Sequence, residues 1–271
     1  MMKSIKNDFL ALWFVTLTLF SSQVFAFDHT YKKYDQILKA HVIPSKNGSV
    51  TQVEYKKINR AELQKVLAEF SAVTKKQFEQ MSRDQQLAFL INSYNAFTLE
   101  LILKNYPLKS IRDIGGFFSP PWKQKFFTFL DEKQHLDHIE HTLIRGSGKY
   151  NEPLIHFAVN CASIGCPALA NEAFVAERLN QQLELSAQRF MSDRTRNYFN
   201  SSKKTLMVSK IFDWYGKDFE LGHRGYQQLE DFMAQHADRL ADSEADRQLI
   251  RQKKVKIDFL DYDWKLNERS L

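Results

Sequence analysis

From Ser82 to Asn105 apolar residues fall on nearly every side of a helical projection. Leu87, Leu90, Ile91, Tyr94, Leu101 and Ile102 share one face, and Phe89, Ala96 and Leu103 make a second. A helix that is apolar all round is a buried helix. Its ends are marked as well: Ser82 and Gln85 have the spacing of a capping box, and Pro107 stands shortly after Asn105. Asn92 and Asn95 sit in this helix with little surface to spare, so both amides are expected to be buried supports with hydrogen-bond partners, and backbone of the loop holding Cys161 is the expected partner.

Weaker periodicities fill in the rest. Leu63, Val66, Leu67 and Phe70 predict an amphipathic helix over 61–72, after a turn-rich connection from His41 to Ser49. Residues 124–130 and 133–136 read as a short hairpin. Asp137 and Glu140 have acidic capping spacing and open a helix that Gly146 ends. In 154–160, Ile155, Phe157 and Val159 alternate with His156, Ala158 and Asn160, which predicts a strand. A long helix is expected over 172–191, and short strands over 205–209 and 255–260. Helix exceeds strand, yet four or so strands are too many for an all-helical fold. The fold class is therefore α+β, a predominantly helical single domain around a small mixed β-sheet.

The N-terminus changes the picture of where this domain works. Lys3 and Lys6 precede an apolar run from Phe9 to Phe20, and Val24 and Ala26 provide small-residue ends. Residues 1–26 thus read as a signal peptide cut after Ala26. The apolar run is twelve residues long, short of the ~20 a spanning helix needs. The single domain is then 27–271, with no membrane span after cleavage and a periplasmic or secreted location. The whole chain holds 38 Lys and Arg against 32 Asp and Glu, a net +6. The basic residues are scattered as pairs such as Lys75 and Lys76, with no stripe interleaved with aromatics, so nucleic acid is not an expected partner. An anionic envelope component is the partner class that the surplus leaves open.

Generic patterning stops at His156–Pro167, HFAVNCASIGCP. Both cysteines lie in this loop, and a loop leaving a rigid element is a favoured place for catalytic groups. Together with FLINSYN (89–95), SIRD (110–113), IEH (139–141), SKIFDWYGKDF (209–219) and YDWKLN (262–267), the block resembles the family of domain of unknown function 547. The best-matching core is 82–220, with a C-terminal motif in 255–267. Leu90 departs from the tryptophan usual there, on a core face. The resemblance implies no assigned substrate; some plant and animal relatives are joined to glutaredoxin-like and DEP domains, a hint of thiol chemistry.

Cys161 and Cys166 admit three physical readings. They form a disulfide, as an oxidising compartment invites; or Cys161 is a thiolate nucleophile paired with a histidine, with Cys166 as resolving partner; or both are inert buried thiols. Cys, His and Asn are the residue types of papain-like catalysis, which makes Cys161, His156 and Asn160 a candidate set. On an ideal strand His156 and Cys161 face opposite ways, so His141, oriented by Glu140 or Asp137, is an equal candidate for the base. His135, His138 and His141 recur every third residue, but no matching ligand pair stands elsewhere, so neither a metal nor another cofactor is expected. Trp214, Tyr215 and Trp264 are expected in the core or lining a crevice. Two functions stay open: a thiol-dependent hydrolase or acyl transferase of the cell envelope, and a non-catalytic envelope binding or structural domain closed by the disulfide.

Overall fold

The computed structural model describes residues 27–116 and 119–269; the expected signal peptide lies outside them. Helix α1 (Lys32–His41) runs into a hairpin of β1 (Val42–Pro44) and β2 (Thr51–Val53), where a turn-rich connection was expected. Helices α2 (Arg60–Ala72) and α3 (Lys75–Gln80) follow, and then α4 (Arg83–Asn105). In α4 the capping box is formed: the Ser82 hydroxyl accepts from Gln85 N, and Ser82 N donates to the Gln85 side chain. Every residue from Gln86 to Leu99 is buried. The all-round apolar pattern thus becomes the central rod of the fold, as its sequence requires.

Of two aromatic clusters, the first packs on this rod. Phe89 stacks on Phe129 of the hairpin β3 (Phe127–Phe129) and β4 (Glu132–Gln134), with Phe27 and Phe70 edge-on or beside it. The second cluster joins Phe157, Phe190, Phe212, Phe219 and Phe232. It draws on helices α5 (Leu179–Met191), α6 (Ile211–Tyr215) and α7 (Leu229–Gln235), after which α8 (Ala237–Leu240) and α9 (Glu244–Arg251) close the helical part. The sheet has three strands: β5 (Tyr198–Asn200) pairs antiparallel with β6 (Thr205–Val208), and β6 pairs parallel with β7 (Lys256–Phe259). The fold is α+β, mainly helical, with a small mixed sheet. No helix among the described residues is long and apolar enough to cross a membrane.

Three local expectations fail, and all three fail around the site. Residues 154–160 form no strand. Pro153 opens a 3-10 turn, Pro153–Phe157, whose first free amide, Leu154 N, is capped by the Glu152 carboxylate. Alternation signals a strand only when one face meets water, whereas here His156 and Asn160 are as buried as Ile155 and Phe157. The helix expected from Glu172 begins only at Leu179, after a 3-10 turn at Ala176–Arg178. The amides of Ala173, Phe174 and Val175 go instead to the side chains of Asp35, Asn92 and Gln182. Asp137 caps nothing. The helix it precedes, His138–Arg145, is a wide π-helix, closed at Gly146 by a bond from Gly146 N to His141 O five residues back.

Candidate active site

The HFAVNCASIGCP segment is a buried stretch without a strand partner, so its backbone must find hydrogen bonds elsewhere. Asn95 of α4 supplies two: its Nδ2 donates to Ala158 O (2.9 Å) and its Oδ1 accepts from Asn160 N (2.8 Å). Asn160 then spans the loop from inside, donating to Pro167 O (2.7 Å) and accepting from Ala162 N (2.9 Å). Arg196 donates to Ile164 O (3.2 Å) and to Cys166 O. The C-terminal strip adds three, with Ile164 N to Lys265 O and Gly165 N to Asp263 O at 2.8 Å, and Asn267 N to Ala162 O at 3.1 Å. Held this way, Ala162 sits at φ 61°, in the left-handed region unusual for a residue with a side chain. A side chain on Gly165 would have its Cβ 2.9 Å from the Tyr262 ring and 3.0 Å from Asp263 backbone.

At the tip of this loop Cys161 Sγ has three polar neighbours: Cys166 Sγ at 2.8 Å, and the hydroxyls of Ser163 and Tyr262 at 3.1 Å each. Both cysteines are free thiols, and their separation exceeds the ~2.05 Å of a disulfide. The disulfide, one of the three readings of this pair, is therefore not the state of this structure. The hydrogen bond from Cys166 is the largest influence on Cys161, and with Ser163 and Tyr262 it outweighs burial, so the Cys161 thiol is held below its ordinary range. Burial pushes the Cys166 thiol up, so Cys166 keeps its proton and donates it. Cys161 is partly accessible, whereas Cys166 is buried.

His156, on the preceding turn, is 3 % exposed. Its Nε2 stands 2.8 Å from Asp218 Oδ2, and its ring stacks on Tyr215 at 4.1 Å. Arg145 binds the same carboxylate through Nε (2.7 Å) and Nη2 (3.0 Å). Burial alone would raise the Asp218 carboxyl, but the bonds from His156 and Arg145 outweigh it and keep the group well below the usual carboxylate range. Burial dominates at His156 and lowers its pKa in spite of Asp218. Arg145 already compensates the carboxylate, so the imidazole rests neutral. A neutral ring donating from Nε2 to Asp218 has its lone pair on Nδ1, and Nδ1 has no partner among the described residues.

His156, Cys161 and Cys166 line one cavity of about 240 Å³, and Asp137, Glu140 and His141 line it with them. His141 is the more exposed histidine; its Nδ1 is 3.1 Å from the Arg145 guanidinium and its Nε2 is 3.9 Å from Asp137. Asn160 faces backbone on both sides and orients no imidazole. Asn92 and Asn95 are buried as expected, but only Asn95 reaches the thiol loop. Asn92 brackets Phe174 instead, through Nδ2 to Phe174 O (2.8 Å) and Phe174 N to Oδ1 (3.0 Å).

Residues 78–191 match the family model described as protein of unknown function, DUF547. Over this stretch, somewhat under half of its length, the chain is similar to the DUF547 family. Comparison with curated proteins and with solved structures gave no match. The DUF547 match contains both thiols, His156, His141, Glu140 and Asn95, yet Tyr215, Trp214, Tyr262 and Trp264, which line the same cavity, and Asp218, which bonds His156 from behind it, all lie beyond its end at residue 191. Asp218 and Tyr262 were given no role in the sequence reading. Their signal was present in the SKIFDWYGKDF and YDWKLN blocks, which contain them.

Proposed function

We propose that this chain is an exported, thiol-dependent hydrolase or acyl transferase in which Cys161 is the nucleophile, His156 the general base and Asp218 the group that orients it. The observation that carries this reading is the pairing, across one cavity, of a thiol supplied with hydrogen-bond donors and a buried imidazole whose Nδ1 has no partner among the described residues. His156 is favoured over His141 because its ring is fixed by Asp218 and Tyr215 and its spare nitrogen is uncommitted, while His141 Nδ1 faces Arg145. Asn160 and Glu140 carry no proton in this scheme.

In the reaction, the proton on Cys161 Sγ passes to His156 Nδ1 as Sγ bonds to a carbonyl carbon and the carbonyl π pair moves onto oxygen. Collapse of that adduct expels the amine, alcohol or thiol, which leaves with the proton from Nδ1. Water, or a second amine or alcohol, then attacks the thioester carbon. Its proton goes to Nδ1 and on to the departing Sγ. Throughout, Asp218 accepts from Nε2 and stabilises the transient imidazolium.

The test is limiting alkylation of the reduced protein at mildly acidic pH, with the label located by peptide mass, followed by a panel of thioester and activated ester substrates. The expected result is preferential labelling of Cys161, slowed in His156→Ala and much less in His141→Ala, with turnover abolished in Cys161→Ser. Equal slow labelling of both thiols, with no turnover, returns the chain to the non-catalytic envelope domain. Export is tested separately. Support for it is the charged, apolar and small-residue sequence of residues 1–26, and N-terminal sequencing of the exported chain should begin at Phe27; recovery with Met1 intact in the membrane overturns it.

A further inference from the structure

The chain is basic overall, at +6, but the cavity beside Cys161 has the opposite sign. Its lining includes the carboxylates of Asp137 and Glu140 and, among the described residues, neither lysine nor arginine. Glu140 is 6 % exposed and has no salt bridge within 4.0 Å among the described residues. A carboxylate so buried is ordinarily paired with a cation. Of the cations nearby, Arg145 is engaged with Asp218 and the face of Tyr215 and Arg112 with the face of Trp264, while Lys123 lies towards Asp137. Tyr94, against Glu140, completes the inner wall.

The outer wall is aromatic. Tyr262 stands 4.9 Å from Trp214 and 4.5 Å from Trp264, and Trp264 is 5.7 Å from Trp122. Trp214 is 43 % exposed, an unusual position for so large an apolar ring. Apart from Trp13, which lies outside the described residues, every tryptophan of the chain lines this cavity. Aromatic faces around a buried carboxylate attract a cation twice over, through the ring quadrupoles and through charge. An anion would meet two carboxylates here, and a neutral apolar group would leave Glu140 with the Tyr94 hydroxyl against it and no cation.

We infer that the substrate of this site carries an ammonium group, which the tryptophan-lined cavity holds against Glu140 while its acyl carbon meets Cys161. The inference rests on the thiol reading for the second half and on the cavity alone for the first. It names the class as amino-bearing amides, esters or thioesters, such as those built from an amino acid with a free amine.

The experiment separates the two halves. Tryptophan emission of the purified protein is followed during titration with n-butylammonium, with n-butanol as the neutral isostere and butyrate as the anion. In the parent and in Cys161→Ser, butylammonium should give a saturable change at concentrations where butanol and butyrate give none. In Glu140→Gln its apparent affinity should fall at least tenfold. An equal response to butanol, or full affinity in a folded Glu140→Gln, overturns the inference. If Glu140→Gln does not fold, the parent's discrimination between butylammonium and butanol decides alone. Saturable ammonium binding without any turnover in the parent would keep the cation site and remove the thiol chemistry; turnover of acyl substrates indifferent to an amine would do the reverse.

Discussion

Helix α4 and the segment 153–175 are buried to a similar depth and solve the same problem in opposite ways. In α4 the backbone satisfies its own polar groups, and the side chains need only be apolar. In 153–175 the backbone is a 3-10 turn followed by irregular chain, so its amides and carbonyls are met by side chains, from outside by Asn95, Asn92, Gln182, Asp35 and Arg196 and from within by Asn160. Regular structure needs composition, whereas irregular buried structure needs particular side chains at particular places. The irregular solution is also the one that lets a thiol, a hydroxyl and an imidazole converge, because a ladder would have sent His156 and Cys161 to opposite faces.

The sharpest way to break that comparison is to remove an amide that the rod lends to the segment. Asn95→Leu would orphan Ala158 O and Asn160 N, and at about 1–3 kcal/mol for each buried group left unpaired the loss should reach about 2–6 kcal/mol in urea denaturation. Asn92→Leu orphans the same number of groups at Phe174 and should cost a similar amount. Their consequences for the site should differ: the Asn95 variant loses the preference of an alkylating reagent for Cys161, while the Asn92 variant keeps it. Equal effects of both on labelling would mean that the segment moves as one body and not as a loop and a tail.

Next in size is Gly165→Ala, which tests the clamp from the C-terminal strip. The added methyl would meet the Tyr262 ring and Asp263 backbone, and overpacking of this kind costs about 1–3 kcal/mol. The strip should yield, drawing the Tyr262 hydroxyl away from Cys161. Thermal unfolding and Cys161 labelling rate should fall together.

A third prediction concerns acid. His156 has a folded pKa below its unfolded value, so it stays neutral in the fold while the unfolded chain takes up a proton as pH falls through about 6.5. The fold therefore loses stability from near pH 6.5 downwards. Asp218, whose folded pKa is also depressed, gives stability that is present above about pH 4 and is lost below it, as the unfolded carboxylate protonates first. One group contributes at most about 1.4 kcal/mol per pH unit. His156→Gln should remove its share of the slope between pH 6.5 and 5, measured by urea midpoints, and leave the slope below pH 4 with Asp218. An unchanged slope between pH 6.5 and 5 would mean that His156 is charged in the fold.

Much of this comparison is legible in the sequence, on the regular side. The capping box, the all-round apolar pattern and the short strands 205–208 and 256–259 follow local rules and appear where those rules put them. The segment 154–160 does not, because its alternation is a coincidence of two buried faces; periodicity reports which residues alternate and not whether either set meets water. The site was half legible. Cys161, His156, His141 and Glu140 do share a cavity, but Asn160 braces the loop and the orienting group is Asp218, 62 residues from His156. Pairing at that separation is a tertiary fact, and no spacing rule within one segment can express it.

The smallest expected effect bears on what makes the two thiols different. They are five residues apart in one loop and mutually bonded, so their contrast rests on which sulfur collects donors. Cys161 has the hydroxyls of Ser163 and Tyr262 as well as the thiol of Cys166, whereas Cys166 Sγ accepts the Cys161 N–H at 2.9 Å and is otherwise enclosed. Tyr262→Phe deletes one donor and leaves the ring packed between Trp214 and Trp264. At about 0.5–1.5 kcal/mol for one hydrogen bond, the Cys161 thiol should move back towards its ordinary range and its alkylation at neutral pH should slow about two- to tenfold. Cys166 should stay unreactive, since burial is the largest cause of its high value and loss of the Tyr262 hydroxyl can only push it further up. A Tyr262→Phe protein that labels at the parent rate would show that the thiol contrast comes from access alone, and the hydroxyl would then be a binding group of the cavity.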